Sequence, residues 1–137
     1  MRLTDHTDYS LRVLIHLNQI KKITTLAELS KTLKISRNNL IKVSNQLSKL
    51  DYIISIRGRN GGIELNPKTK TTTLKEIISH TEENFHLAEC FSAGGTSCTF
   101  VRGCKLKKSL SKALENFLNS LANTTLNDVT PSSKSRS

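Results

Sequence analysis

The sequence predicts a mainly α-helical fold with one small β-hairpin, and three observations point that way. Apolar residues recur at helical spacing in two long stretches, 37–50 and 105–123. Thr25-Leu26-Ala27-Glu28 and Thr73-Leu74-Lys75-Glu76 have the spacing of a capping box, in which each outer side chain satisfies the other's free backbone N–H. Between them, Tyr52-Ile53-Ile54-Ser55-Ile56-Arg57 is a short β-branched run that ends in a glycine-rich turn.

Taken in order, Leu11, Leu14, Ile15 and Leu17 define a first helix over 8–17, with Thr7 or Asp8 as its cap. A polar turn, 19–24, leads to a short second helix from Thr25 to about Leu33. Lys34-Ile35 leaves room only for a tight connection, and Ser36 caps the third helix. There Leu40, Val43, Leu47 and Leu50 form one buried stripe. The opposite face shows Arg37, Asn38, Asn39, Lys42, Asn45, Gln46 and Lys49, all amides and cations with no carboxylate. The strand 52–57, the turn 58–62 and a returning strand from Ile63 make the hairpin, with Arg57 and Arg59 near its tip. Residues 67–72 read as a polar linker, and Thr73 opens a fourth helix to about His80. Periodicity then fails from 82 to 103. The final helix, 105–123, gathers Leu106, Leu110, Ala113, Leu114, Phe117, Leu118 and Leu121 on a face too wide for a lone exposed helix.

Helix, short helix, tight turn, helix and arginine-tipped hairpin is the order of a winged helix-turn-helix. Its third helix would enter a major groove by Arg37, Asn38, Asn39 and Lys42, while Arg57 and Arg59 reach the backbone or minor groove. Charge agrees. The 137 residues carry 21 Lys and Arg against 11 Asp and Glu, a formal net charge of +10. Residues 1–65 hold 11 of those cations and 5 of the anions, so the positive field sits where DNA is expected. The chain divides into a DNA-binding domain over 1–66, a linker and connecting helix over 67–89, a cysteine loop over 90–104, a dimerisation helix and C-terminal segment over 105–129, and a disordered tail over 130–137.

The same survey excludes other classes. No stretch approaches the roughly 20 apolar residues of a membrane helix, and no signal-peptide run begins the chain, so a cytoplasmic location is expected. No Ser-His-Asp pattern, phosphate-cradling loop or paired catalytic carboxylates occur, so an enzyme is not expected. Glu82-Glu83 reads as a solvated pair.

Cys90, Cys98 and Cys104 are the chain's 3 cysteines. An odd, clustered set without export signals argues against a disulfide framework. The wide spacing lacks a Cys-x-x-Cys knuckle, with Arg102 and Lys105 nearby to favour thiolates. Spacing alone leaves an iron–sulfur cluster, a zinc site completed by His80 or His86, and plain thiols all open.

Thr7-Asp8-Tyr9-Ser10-Leu11-Arg12, Ser36-Arg37-Asn38-Asn39-Leu40 and Arg57-Gly58-Arg59-Asn60-Gly61-Gly62-Ile63 resemble the iron–sulfur winged-helix repressors. Cys104-Lys105-Leu106-Lys107, Leu110-Ser111-Lys112-Ala113 and Thr125-Leu126-Asn127-Asp128 are most similar to the nitric oxide-sensitive branch of that family. The resemblance implies a homodimeric repressor of a near-palindromic operator. It implies an iron–sulfur cluster, 4Fe–4S rather than 2Fe–2S, whose nitrosylation releases DNA. Cys90, Cys98 and Cys104 match the family's ligand positions, and Asp8 of the partner subunit matches the fourth; a helix cap is the competing role for that residue. Another branch uses a histidine three residues after the last cysteine, where this chain has Lys107. The Cys90–Cys98 gap is longer than the family's. Regulators of this shape that sense iron–sulfur or redox status, or that use thiols without a cluster, are the alternatives.

Overall fold

The structure is a computed structural model that describes residues 1–132; the last part of the expected tail, 133–137, lies outside the described residues. Helix α1 (Asp5–Ile20) begins three residues before the expected start at residue 8. Its first turn, Asp5-His6-Thr7, contains no large apolar side chain, so periodicity had nothing to register there. The cap is Thr4, whose hydroxyl accepts from the Thr7 amide at 3.3 Å, and neither Thr7 nor Asp8 has that role. Thr25 caps α2 (Leu26–Leu33) with the full reciprocal box to Glu28. Lys34, in the left-handed conformation at φ 57°, then turns the chain tightly enough for Ser36 to cap α3 (Arg37–Lys49).

The stripe predicted for α3 is the centre of the core. Leu40, Val43 and Leu47 pack with Val13, Leu14 and Leu17 of α1, Leu29 of α2, and Ile35 from the tight turn. At about 1.5–3 kcal/mol for each fully buried aliphatic side chain, this cluster is the main force holding α1, α2 and α3 together.

Strands β1 (Ile53–Ile56) and β2 (Gly62–Leu65) pair antiparallel, with Ile53 opposite Leu65 and Ile56 opposite Gly62. Ile53 and Ile63 point into the core. Thr24, placed by sequence in a polar turn, exchanges two backbone hydrogen bonds with Ile63 at 2.9 and 2.8 Å and so anchors the hairpin to the chain before α2. That close approach requires glycine at 62: a Cβ there would lie 2.3 Å from the Thr24 carbonyl oxygen, and its φ is +153°.

The expected linker is not extended. Residues Pro67–Thr71 form a 3-10 turn in which buried Thr69 donates its hydroxyl to the Tyr52 carbonyl at 2.9 Å. Thr73 caps α4 (Leu74–Thr81) through the Glu76 amide at 3.2 Å, but only this half of the expected box forms. After α5 (Lys105–Leu121) the chain comes back to the first core. The Leu74 amide donates to the Thr124 carbonyl at 2.8 Å, the Leu126 amide to the Thr72 carbonyl at 3.0 Å, and α6 (Leu126–Val129) rests on α1. Asn18 donates to Asn127 and to Thr130, both at 2.9 Å, so residue 130, expected in the tail, is fastened to α1.

Leu126 is the hydrophobic key of this return, fully buried in a cluster otherwise drawn from residues 13–77. Its truncation to alanine should destabilise the protein by about 2–5 kcal/mol, seen as a lower urea midpoint. An unchanged midpoint would mean that the C-terminal segment does not contribute to the first core.

Candidate DNA interface and cysteine site

Because α3 buries Leu40, Val43, Ser44 and Leu47, its other side is turned outward. Arg37, Asn38 and Lys42 are exposed there with Asn45 and Lys49, and Asn39 is half-buried beside them, its amide held by Ser36 at 3.3 Å. Arg57 and Arg59 are exposed at the hairpin. The hairpin is aligned with α3 by the Tyr52 amide on the Leu47 carbonyl at 3.0 Å and by a Ser48–Ser55 hydroxyl contact at 3.1 Å. Among the described residues the ion pairs are Arg2–Asp5 and Arg12–Asp8, so no carboxylate neutralises the cations of this face. A surface of uncompensated cations and amides suits a phosphate backbone and base edges.

Two residues on α3 depart from the sequence pattern. Gln46, expected on the exposed face, turns inward: its carbonyl oxygen meets the His6 ring and its amide donates to the His80 carbonyl at 2.8 Å. Ile41, outside the predicted apolar stripe, is 44% exposed beside Lys42. An isoleucine reads as core in any hydrophobicity pattern; only the orientation of α3 shows that it faces outward. Apolar side chains on a reading helix suit the thymine methyl group in the major groove.

Behind α3, polar contacts tie α1 to α4. The Tyr52 hydroxyl and His80 Nδ1 are 3.0 Å apart, and burial, with the Glu76 charge, pushes the Tyr52 phenol up to about 12, so it remains a donor. Glu82, expected as a solvated carboxylate, closes the N-terminus of α1. It accepts from the Thr4 amide at 3.1 Å, the Thr4 hydroxyl at 2.5 Å, and the Thr7 hydroxyl. Partial burial pushes its carboxyl up, but those donors and the His6 charge outweigh burial and hold it below its ordinary value.

The cysteines come together in kind though not in a finished ligand set. Cys90, Cys98 and Cys104 all line one cavity of about 700 Å³, with Arg102, Lys105 and Lys107 on its wall. Cys104 is the N-cap of α5, its sulfur accepting from the Lys107 amide at 3.4 Å. Three cysteine sulfurs on one cavity wall among cations, one of them at a helix N-terminus, fit an anionic iron–sulfur cluster by charge and by donor type. Among the described residues no three His, Cys, Asp or Glu side chains converge to metal-binding distance. The zinc alternative loses its fourth ligand as well: neither His80 nor His86 lines the cavity, and His80 is engaged by Tyr52.

Asp8 is not a helix cap. Its carboxylate takes two hydrogen bonds from Arg12, at 3.0 and 2.7 Å, on a half-exposed turn of α1, and it does not line the cavity of its own chain. No residue of α5 is buried: Leu106 is 67% and Phe117 41% exposed, and Leu110, Leu114, Leu118 and Leu121 are half-buried, so the wide apolar face is only partly covered among the described residues.

Residues 3–132 match the family described as Rrf2, iron-dependent transcriptional regulator. The chain is 42% identical to the HTH-type transcriptional regulator NsrR of Bacillus licheniformis over 94% of this chain and 92% of that one. It is 39% identical to NsrR of Bacillus subtilis, over 94% and 90%. The fold is similar to that of Staphylococcus aureus CymR, with TM-score 0.72 and 19% identity over 93% of this chain and 96% of that one. It is also similar to that of T. potens IscR, with TM-score 0.70 and 18% identity over 93% and 85%.

The Glu82 clamp has a testable pH signature. With its carboxyl below the ordinary 4.5, Glu82 contributes fully above that value and loses its contribution as pH falls through the lowered one. Glu82→Gln should therefore cost about 1 kcal/mol at pH 7, discounted for partial exposure. The gap to wild type should close in acid when unfolding is followed by circular dichroism; a gap independent of pH would refute the clamp.

Proposed function

Because the chain belongs to the Rrf2 family of iron-dependent transcriptional regulators, we propose that it is a homodimeric repressor, releasing a near-palindromic operator when nitric oxide attacks an iron–sulfur cluster. The observation that carries this reading is that all three cysteines line one cavity at the N-terminus of α5. Similarity to the NsrR regulators, the nitric oxide-sensitive repressors that the sequence resembles, supports the choice of signal.

In this reading Cys90, Cys98 and Cys104 supply thiolate ligands, and Asp8 of the partner subunit supplies the fourth. The resemblance favours 4Fe–4S over 2Fe–2S. A cluster held by these residues would supply irons open to reaction with nitric oxide. The protein's own part is electrostatic and mechanical. Arg102, Lys105 and Lys107 favour negative charge in the cavity. Asp8 exchanges its Arg12 ion pair for the partner's site, so ligation couples directly to α1. The partly covered apolar face of α5 pairs with its equivalent, and holding the 90–104 loop against the partner's α1 sets the distance between two α3 helices. Those helices then reach successive major grooves through Arg37, Asn38, Asn39 and Lys42, with Arg57 and Arg59 on the flanking backbone.

One observation favours a second reading, a cluster-free regulator that senses oxidants through thiols. Cys98 is exposed, and the cysteines do not converge among the described residues. Anaerobic purification followed by nitric oxide titration separates the two, with cluster absorbance and operator binding measured together. Parallel loss of both is expected; a colourless protein, or binding indifferent to nitric oxide, overturns the cluster reading. Cys98→Ser should lose the cluster and cluster-dependent binding together, and a serine variant that still binds and responds to nitric oxide would count against it.

Ile41 supplies a sharper test of the reading face. On a duplex selected by the protein from a random pool, replacing thymine by uracil removes only the 5-methyl group. Binding should weaken about fourfold, the worth of one methyl contact. Ile41→Ala should bind both duplexes alike; equal losses in wild type and variant would remove Ile41 from the interface.

A further inference from the structure

Lys107 is where one branch of the family places a ligand histidine and this chain places a cation, and the contacts of Lys107 assign it a different task. Its ammonium donates to the Cys90 carbonyl at 2.9 Å, and its backbone amide donates to the Cys104 sulfur at 3.4 Å. The same ammonium lies 5.6 Å from the centre of the Phe91 ring, so carbonyl and aromatic face pin it from two sides. One half-buried residue thus touches both ends of the cysteine segment and lines the cavity between them. The adjacent Lys105 and Lys108 are exposed.

We propose that Lys107 is the positioning residue of the cysteine site: it holds the Cys90 backbone against the start of α5 and keeps a positive charge at the cavity wall. The task needs both properties of the side chain. Four methylenes reach from α5 to the Cys90 carbonyl, and the ammonium that makes that bond also places a positive charge beside the anionic group the cavity would hold. A group that orients a ligand without binding metal typically changes metal affinity by about 10- to 100-fold when removed. Its charge also acts on any anionic group held there, stabilising the more reduced state.

The cluster part of the proposal rests on the iron–sulfur reading above; the positioning part does not, and the test separates them. Lys107→Met keeps length and removes charge and donor, whereas Lys107→Arg keeps both. Lys107 lies outside the buried core, so the urea midpoints of both variants should match wild type. Amide hydrogen exchange of the 88–92 segment, measured without metal, should quicken about tenfold in the methionine variant and stay near wild type in the arginine variant. Unchanged exchange in the methionine variant, or arginine behaving as methionine, overturns the positioning role. Reconstitution with ferrous iron and sulfide under anaerobic conditions should give the methionine variant at least tenfold weaker loading and a lower midpoint potential. Equal loading and potential overturn the part that concerns the cluster. A wild-type chain that takes up no cluster, while the exchange difference persists, overturns the iron–sulfur reading and supports Lys107 as the loop's anchor.

Discussion

The N-terminal turn of α1 is held by a carboxylate that arrives from 75 residues away, Glu82 on the hydroxyl of Thr7. Glu82 accepts the Thr4 amide and the Thr4 and Thr7 hydroxyls, which sets a negative charge at the positive end of α1 while joining the end of α4 to the start of α1. A second tie runs beside it, from His6 through Gln46 to the carbonyl of His80. Much of the molecule's arrangement depends on this junction. Through Gln46 it reaches α3, the helix with the exposed cations, and one turn further along α1 stands Asp8.

That placement makes the proposed control economical in parts. The proposed reading helix and the candidate ligand on α1 share one packed unit, with Val13, Leu14 and Leu17 against Leu40, Val43 and Leu47. Densely packed interiors transmit displacement instead of absorbing it. A pull on Asp8 from a partner's loop would therefore move α1 and α3 together. The cysteine segment contrasts with this unit: Cys98 is exposed, and none of the residues 89–91 around Cys90 is buried. A loop with few buried contacts can change conformation at low free-energy cost, as a ligand site that gains and loses its occupant requires.

Helix α5 belongs to neither category. It has the regular pattern of a core helix, yet within the chain it buries no residue and contacts chiefly α4. Its apolar face, with Leu106 and Phe117 open, is the surface that the proposed homodimer would cover.

Some of this was legible in the residues themselves. The stripe Leu40, Val43, Leu47, the box at Thr25 and the Ser36 cap depend on neighbours within one or two turns, so spacing alone determined them. The family resemblance, the acid-free face of α3 and the cluster of three cysteines were equally local facts. What spacing could not reach were interactions between distant segments: Glu82 on α1, Thr24 on the hairpin, and Leu126 filling the first core. Gln46 and Ile41 show the limit most plainly. Polarity placed the glutamine outside and left the isoleucine unassigned, but the packing of α3 against α1 and α4 half-buries Gln46 and leaves Ile41 exposed. A residue's side of a helix follows from spacing, whereas what that side meets is determined only when the chain packs.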